Sequence, residues 1–305
     1  MISGSAGNST LGYHFVAFLV VAIWGSTFVF TKMLLQAGLS PAQIFTLRFA
    51  IAYVLLLAVY HRKWLADVWQ DEVLMAALGL TGGTLYFLTE NAAMLYTTAT
   101  NTSLIVCSCP LFAMLLFALF FRQNMRFTRI QVFGSFVACM GMVVVVLNGH
   151  FVLHLSPLGD MLAFGACLCW AVYSLLMKPA AYRYNTFFIT RKVFFYGLMT
   201  IIPYYIFVPG DRWIFTSEVL TFFTPSILFN LLFLAVVASM LCFLLWNLVI
   251  RKLGPVVATN WVYFNPITTI IFAAWLLHEP ITPWFLLGTV LILLGMYLCD
   301  HRVAM

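Results

Sequence analysis

The chain has 305 residues, of which 64% are hydrophobic and 8% are charged, and its mean hydropathy is +1.03. Soluble domains average about 45–50% apolar and about 25% charged residues. A water-soluble core of this length could not bury so much apolar surface, which excludes a soluble enzyme. The 30 Phe and 9 Trp residues exclude a disordered chain. The composition therefore predicts an all-α integral membrane protein.

The predicted elements are membrane-spanning helices, each of which needs about 20 apolar residues. Ten runs meet this length: Tyr13–Gln36, Pro41–Tyr60, Glu72–Leu95, Asn101–Phe121, Thr128–Leu147, Pro157–Met177, Thr186–Phe207, Pro225–Ile250, Pro255–Leu277 and Pro283–Cys299. Five begin with Pro, which suits the first helical turn because its missing N–H would have no partner there. The first run has no preceding Lys or Arg and is too long for a cleaved signal peptide, so we expect it to remain as a span.

The cations between these runs predict the orientation of the chain. Loops on one side and the C-terminal tail hold ten of them: Arg62, Lys63, Arg122, Arg126, Arg129, Lys178, Arg183, Arg251, Lys252 and Arg302. The opposite loops hold only Arg212. Because cytoplasmic loops carry an excess of Lys and Arg, both termini are expected in the cytoplasm. The formal charge of +6 thus reflects topology, and no nucleic-acid partner is expected.

The two halves of the chain resemble each other. The matches in chain order are Trp24 and Lys32 with Trp170 and Lys178, Thr46 and Arg48 with Thr190 and Lys192, Asn91 and Pro110 with Asn247 and Pro266, and Gly134 and Gly141 with Gly288 and Gly295. We interpret residues 1–150 and 151–305 as two five-helix repeats. Because five is odd, the repeats must insert with inverted topology, which is typical of secondary transporters that work by alternating access.

Several of these residues form patterns of a known family. Ala22–Lys32 (AIWGSTFVFTK), Arg48 and Pro110 resemble the first half of an EamA-type domain, and Asn265–Pro266, His278–Pro280 and Gly288/Gly295 resemble the end of a second. The chain thus resembles a ten-helix member of the drug/metabolite transporter superfamily. Gln123 departs from the pattern, because the family often carries a Glu at this position, as the matched Glu279 does.

The resemblance implies a transporter of amino acids, metabolites or drugs in the bacterial inner membrane, often working outward. We therefore expect a secondary transporter of small organic solutes such as amino acids, operating as an exporter. Two alternatives stay open. The first is another substrate class on the same fold, namely a nucleotide-sugar, a sugar or a cationic drug. The second is a membrane-embedded enzyme or a receptor.

Ionisable residues inside the spans are functional candidates because they are costly in a bilayer. Lys32, Arg48 and Glu90 lie at similar distances from the outer span ends, roughly 6–11 Å at the rise of a helix. In the functional interpretation they form a gate or an anion site, in which Glu90 exchanges partners or takes a proton. In the structural alternative, Glu90 pairs with one of the two cations and holds the helices together. At the inner ends, Lys178, Arg191 and Lys192 are predicted to lack an acidic partner and either snorkel and contact anionic lipid or bind a substrate carboxylate.

A substrate cavity is predicted at mid-depth, where Trp24 and its match Trp170 could form opposite walls. The predicted cavity residues are Trp24, Phe28, Thr31, Tyr86, Glu90, Asn91, Trp170, Tyr173, Ser174, Asn247, Asn260, Tyr263 and Asn265. Helix packing is the alternative role of the aromatic residues, and interhelical hydrogen bonding is that of the asparagines. Pro110 and Pro266 predict paired breaks in their helices.

The sequence lacks the common catalytic motifs, including H-E-x-x-H, G-x-S-x-G and the Walker-type G-x-x-x-x-G-K. Its seven Cys residues lie in or at the end of apolar runs and suit packing better than metal or disulfide chemistry. We therefore predict that the protein is not an enzyme and uses no metal and no cofactor. The expected partners are a small-molecule substrate and the lipid bilayer. Coupling to protons through Glu90 and facilitated diffusion without a coupling ion are both consistent with the sequence.

Overall fold

The computed structural model describes residues 5–61, 63–97, 99–120, 128–147, 156–215, 222–277 and 283–300. All regular structure in these ranges is helical. The predictions that involve Arg62, Arg122, Gln123, Arg126, His278–Pro280 and Arg302 fall outside the described residues.

The described residues of the first half form seven α-helices and one π-helical segment. They are α1 (Ser5–Gln36), α2 (Pro41–Val59), α3 (Trp69–Gly79), the π-helix Leu80–Leu85, α4 (Tyr86–Tyr96), α5 (Ala99–Val106), α6 (Cys109–Phe120) and α7 (Arg129–Leu147). α3, the π-helix and α4 are continuous and form one long rod. It corresponds to the third predicted span.

The second half follows a similar order with more short segments. Its elements are α8 (Pro157–Arg183), α9 (Thr186–Thr200), α10 (Ile202–Phe207), a 3₁₀ turn (Pro209–Phe215), α11 (Pro225–Leu232), the π-helix Phe233–Leu241, α12 (Cys242–Leu253), α13 (Pro255–Asn260), a 3₁₀ turn (Trp261–Phe264), α14 (Asn265–Leu277) and α15 (Pro283–Asp300). The helical segments follow the ten predicted runs, and breaks precede both Pro110 and Pro266, as predicted.

Local sequence explains where several helices begin. Ser40 caps α2 by accepting from the Gln43 N–H at 3.3 Å, while Gln43 Oε1 accepts from the Ser40 N–H at 2.9 Å. Asn185 caps α9 through the Phe188 N–H at 2.8 Å. Gly254 joins α12 to α13 with a φ of 86°, which disfavours any residue with a Cβ.

Five helical stretches in the described residues are long and apolar enough to cross a membrane. They are Thr10–Gln36, Pro41–Val59, Trp69–Tyr96, Pro157–Arg183 and Pro225–Leu253. Cys109–Phe120 and Leu286–Leu298 are shorter apolar helices. The protein is thus an all-helical molecule with several apolar spans, and the count of ten spans stays a prediction.

The core lies between the two halves of the chain. α7 packs along α15, α4 along α8, α1 against α12 and α14, and α3 against α9. Each of these contacts joins an element before residue 150 to one after it. The two predicted repeats are therefore intertwined, and the contact between them surrounds the cavity described next.

Candidate functional site

A cavity lies at the centre of the helix assembly. The centre of a water molecule can occupy about 30 Å³ of it, so the cavity can hold water. Its lining comes from both halves of the chain: Trp24, Thr27, Phe28, Arg48, Tyr86, Phe87, Glu90, Val106, Cys109, Trp170, Phe243, Val262 and Asn265. Seven of these residues were predicted from the sequence as cavity or charge-layer residues: Trp24, Phe28, Arg48, Tyr86, Glu90, Trp170 and Asn265.

Two tryptophans form part of the wall. The rings of Trp24 and Trp170 lie with their centroids 5.3 Å apart and their planes at 89°. Trp24 Nε1 donates to the carbonyl oxygen of Ala238 at 3.0 Å, which fixes the ring against the second π-helix. Tyr86 adds a third ring, 5.0 Å from that of Trp170. The wall is therefore aromatic on several sides.

Six lining residues were not predicted from the sequence: Thr27, Phe87, Val106, Cys109, Phe243 and Val262. Three pairs of lining residues are each 156 residues apart, the same offset as Asn91 and Asn247: Phe87 and Phe243, Val106 and Val262, and Cys109 and Asn265. Applied to the predicted Asn265, the offset points to Cys109, whereas neither member of the other two pairs was predicted. Matched positions of the two halves thus line one cavity.

The charged groups and the phenol of the cavity do not follow this pairing. Arg48, Tyr86 and Glu90 all belong to the first half. Arg48 is 2% exposed, and its Nε donates to Ser239 Oγ at 2.8 Å. Its guanidinium carbon lies 4.4 Å from the centre of the Phe87 ring. The carboxylate of Glu90 accepts from the Tyr86 hydroxyl at 2.7 Å.

Arg48 and Glu90 keep free hydrogen-bonding capacity. Among the described residues the ion pairs within 4.0 Å are Lys63–Asp67, Arg183–Asp71 and Lys192–Glu72, and none involves the cavity. In the described part of the chain, Glu90 therefore makes no direct ion pair with Arg48 or Lys32, although the charges of Arg48 and Glu90 attract each other. Since one cation and one carboxylate line the cavity within the described part of the chain, its formal charge is zero.

Both π-helices lie next to the cavity. The first ends where Tyr86 begins α4, and the second contains Ser239 and Ala238, which hold Arg48 and Trp24. π-helical turns are rare and frequent at functional sites. Periodicity in a single sequence does not distinguish them from an α-helix, so they were not predicted.

Lys32 lies away from the predicted layer partners. Its ammonium group donates to the carbonyl oxygen of Met94. Arg48 and Glu90 share the cavity, whereas Lys32 is not among the lining residues. Of the three residues predicted to share a layer, Arg48 and Glu90 therefore lie together at the cavity. Lys32 instead links α1 to α4.

The other predicted cavity residues lie outside the lining: Thr31, Asn91, Tyr173, Ser174, Asn247, Asn260 and Tyr263. Several form interhelical or local hydrogen bonds. The Tyr173 hydroxyl donates to Asn247 Oδ1 at 2.7 Å, and Asn247 Nδ2 donates to Thr190 Oγ1 at 2.8 Å. This buried network connects α8, α12 and α9. Asn91 Nδ2 donates to the carbonyl oxygen of Pro41 at 3.2 Å.

The prediction that Lys192 lacks an acidic partner is wrong. Its ammonium group forms a buried ion pair with Glu72, which also accepts from the Tyr196 hydroxyl. Glu72 lies 120 residues earlier, at the start of the third predicted span, so sequence distance concealed the pair. Lys178 is half-buried at the end of α8, with its ammonium 5.9 Å from the centre of the Phe117 ring.

The described residues hold no group of three or more His, Cys, Asp or Glu side chains that could bind a metal ion. The chemistry of the cavity is therefore that of a guanidinium, a carboxylate, a phenol and aromatic rings. Such a set can bind and orient a small organic molecule.

The chain is similar to known membrane transporters. A model of the EamA-like transporter family matches residues 11–147 and 157–299. An uncharacterized transporter of Archaeoglobus fulgidus is 28% identical over 95% of this chain and 97% of its own length. A probable amino-acid metabolite efflux pump of Salmonella typhimurium is 28% identical over 93% of both chains.

Two further matches extend this pattern. A probable terminal-alkyne amino-acid exporter of Streptantibioticus cattleyicolor is 24% identical over 93% of this chain and 92% of its own. A solved crystal structure aligns over 96% of both chains with a TM-score of 0.69 at 17% identity. The last match shows a shared fold.

Proposed function

Because the chain belongs to the EamA-like transporter family, we propose that it exports amino acids or related zwitterionic metabolites across the bacterial inner membrane. The protein is a multi-pass membrane transporter, and family membership applies to almost the whole chain. The names of the Salmonella and Streptantibioticus relatives support amino acids as the substrate class.

The main support for this substrate class is that Arg48 and Glu90 line the same buried, aromatic cavity. A guanidinium with unused N–H groups suits a carboxylate. A carboxylate beside aromatic rings suits an ammonium group. A cavity with zero formal charge holds a zwitterion without leaving an unpaired buried charge, which would be costly at this depth. A purely cationic or anionic solute would leave one protein charge without its partner.

The proposed architecture has ten spans in two inverted five-helix repeats, residues 1–150 and 151–305, with both termini in the cytoplasm. The pairs of lining residues at matched positions support the repeat. In transporters of this kind the substrate site lies where two repeats meet near the bilayer midplane. The junction of the halves around Trp24 and Trp170 fits that location.

Alternating access is the proposed mechanism, because a substrate site at the junction of two repeats can open to each side of the membrane in turn. In this mechanism the halves move apart at one end at a time to admit and release the substrate. Contacts between the halves lie at both ends of the spans. At one end Glu72 pairs with Lys192 and Asp71 with Arg183, and at the other Ser40 Oγ donates to Asp211 Oδ2 at 2.6 Å.

A screen in proteoliposomes tests the proposed function. The full-length protein is reconstituted, and uptake of each radiolabelled amino acid is measured with and without a pH gradient. Uptake of at least one amino acid above empty liposomes is expected, and dependence on the gradient would identify protons as the coupling ion. Uptake of organic cations or sugars with none of any amino acid would contradict the proposed substrate class.

A further inference from the structure

A second cavity, which we call the Arg191 pocket, lies between α2, α3 and α9, away from the central cavity. The centre of a water molecule can occupy about 120 Å³ of it. Arg191, Lys192 and Glu72 supply its charges. Trp64 and Leu65 are its most exposed lining residues, at 59% and 69%. The pocket is therefore charged inside and apolar where it opens.

The charges of the Arg191 pocket do not cancel. Lys192 is paired with Glu72, whose second carboxylate oxygen accepts from the Ala66 N–H at 2.7 Å. Arg191 donates instead to the carbonyl oxygens of Tyr60, at 2.8 Å, and Lys63. In the described part of the chain no carboxylate lies within 4.0 Å of its guanidinium. One positive charge thus remains.

This charge is buried, because Arg191 is only 2% exposed. Carbonyl oxygens satisfy hydrogen bonds but leave the ionic charge uncompensated, which is costly next to hydrocarbon. A guanidinium has five N–H donors, and the two carbonyls use only part of them. The remaining donors can bind the oxygens of an anion that occupies the pocket.

We propose that the Arg191 pocket binds a phosphate group, and that the headgroup of an anionic phospholipid supplies it. Arginine binds phosphate through two parallel hydrogen bonds. The guanidinium carbon lies 5.4 Å from the centre of the Trp64 ring, and tryptophan is enriched at the level of lipid headgroups. Trp64 and Leu65 offer apolar surface to the acyl chains, which inorganic phosphate would not use.

Native mass spectrometry of the purified full-length protein tests this site. Phosphatidylglycerol, diacylglycerol with the same acyl chains but no phosphate, and inorganic phosphate are titrated separately, and bound molecules are counted. Phosphatidylglycerol is expected to bind about tenfold more tightly than diacylglycerol. Arg191→Gln is expected to remove about that factor. Arg183→Gln, a cation at the same end that pairs with Asp71, is the matched control and should bind like the wild type.

Several results would overturn the proposal. They are equal binding of the two lipids, unchanged phosphatidylglycerol binding by Arg191→Gln, and an equal loss in Arg183→Gln. If inorganic phosphate bound as tightly as phosphatidylglycerol, the claim that a lipid supplies the phosphate group would be contradicted. Should Arg191→Gln not fold, Trp64→Ala replaces it, with the 76% exposed Trp69→Ala as control. Weaker phosphatidylglycerol binding in Trp64→Ala alone supports the site, and equal binding by both variants overturns it.

Discussion

The indole rings of Trp24 and Trp170 meet edge-to-face with centroids 5.3 Å apart, although 146 residues separate them in the chain. An aromatic pair of this geometry contributes about 0.5–1.5 kcal/mol beyond the area it buries. Both residues line the central cavity and hold matched positions in the two halves. The contact therefore joins the halves at the wall of the proposed substrate site.

The two tryptophans should respond differently to replacement by Phe. Trp24→Phe loses the hydrogen bond to Ala238, which costs about 1 kcal/mol. The Nε1 of Trp170 has no hydrogen-bond partner among the described residues, so Trp170→Phe loses only ring area. Thermal unfolding in detergent should show the larger drop in melting temperature for Trp24→Phe. An equal or larger drop for Trp170→Phe would contradict this assignment.

The buried ion pair of Glu72 and Lys192 should be important for stability. Replacing either residue by Gln leaves the other charge buried without its partner, which costs about 3–5 kcal/mol. The double variant should lose less than the two single variants together, because it leaves no unpaired charge. Lys63→Gln at the exposed pair with Asp67 is the control and should cost at most about 1 kcal/mol. Additive losses from Glu72→Gln and Lys192→Gln in thermal unfolding would show that the pair does not interact.

Close contact of α7 with α15 should not tolerate an added methyl group. A Cβ on Gly295 would lie 2.3 Å from the backbone nitrogen of Ala138, and one on Gly141 would lie 2.6 Å from that of Ile292. Gly295→Ala and Gly141→Ala should each lose about 1–3 kcal/mol. Gly12→Ala, with open space around it, should be neutral or stabilising. Equal melting temperatures for all three variants would rule out this packing.

Accessibility labelling should place the cation-rich loops on one face of the membrane. Lys63→Cys and Arg251→Cys are expected to react with an impermeant maleimide from the cytoplasmic face, and Arg212→Cys from the opposite face. The proposed even number of spans and inverted repeats requires this pattern. Reaction of Lys63→Cys and Arg251→Cys from different faces would exclude the proposed topology.

Much of the architecture could be predicted because the bilayer imposes strong constraints on composition. Apolar runs of fixed length located the helical segments, and matched positions identified the Trp24–Trp170 pair. Arg48 and Glu90 were placed in one layer from the rise of a helix alone, and both line the cavity. These predictions depend only on how deep a residue lies in the membrane, and its distance in sequence from the end of its span determines that depth.

What could not be predicted depends on helix rotation and on contacts between distant elements. Depth alone did not show that Lys32 turns to the Met94 carbonyl while Arg48 turns to the cavity. The partner of Lys192 was missed because Glu72 reaches it only after α3 packs against α9. Seven predicted cavity residues lie outside the lining because packing determines which face of a helix meets the cavity.

The most direct measurement compares phenylalanine with two analogues that each lack one charge, phenethylamine and 3-phenylpropionate, in proteoliposome transport. The wild type should prefer phenylalanine over both by about tenfold. Glu90→Gln should no longer prefer phenylalanine over 3-phenylpropionate, which lacks the ammonium group. Arg48→Gln should no longer prefer phenylalanine over phenethylamine, which lacks the carboxylate. The control Lys63→Gln should keep both preferences. Unchanged selectivity in Glu90→Gln and Arg48→Gln, with all variants folded, would contradict the zwitterion site.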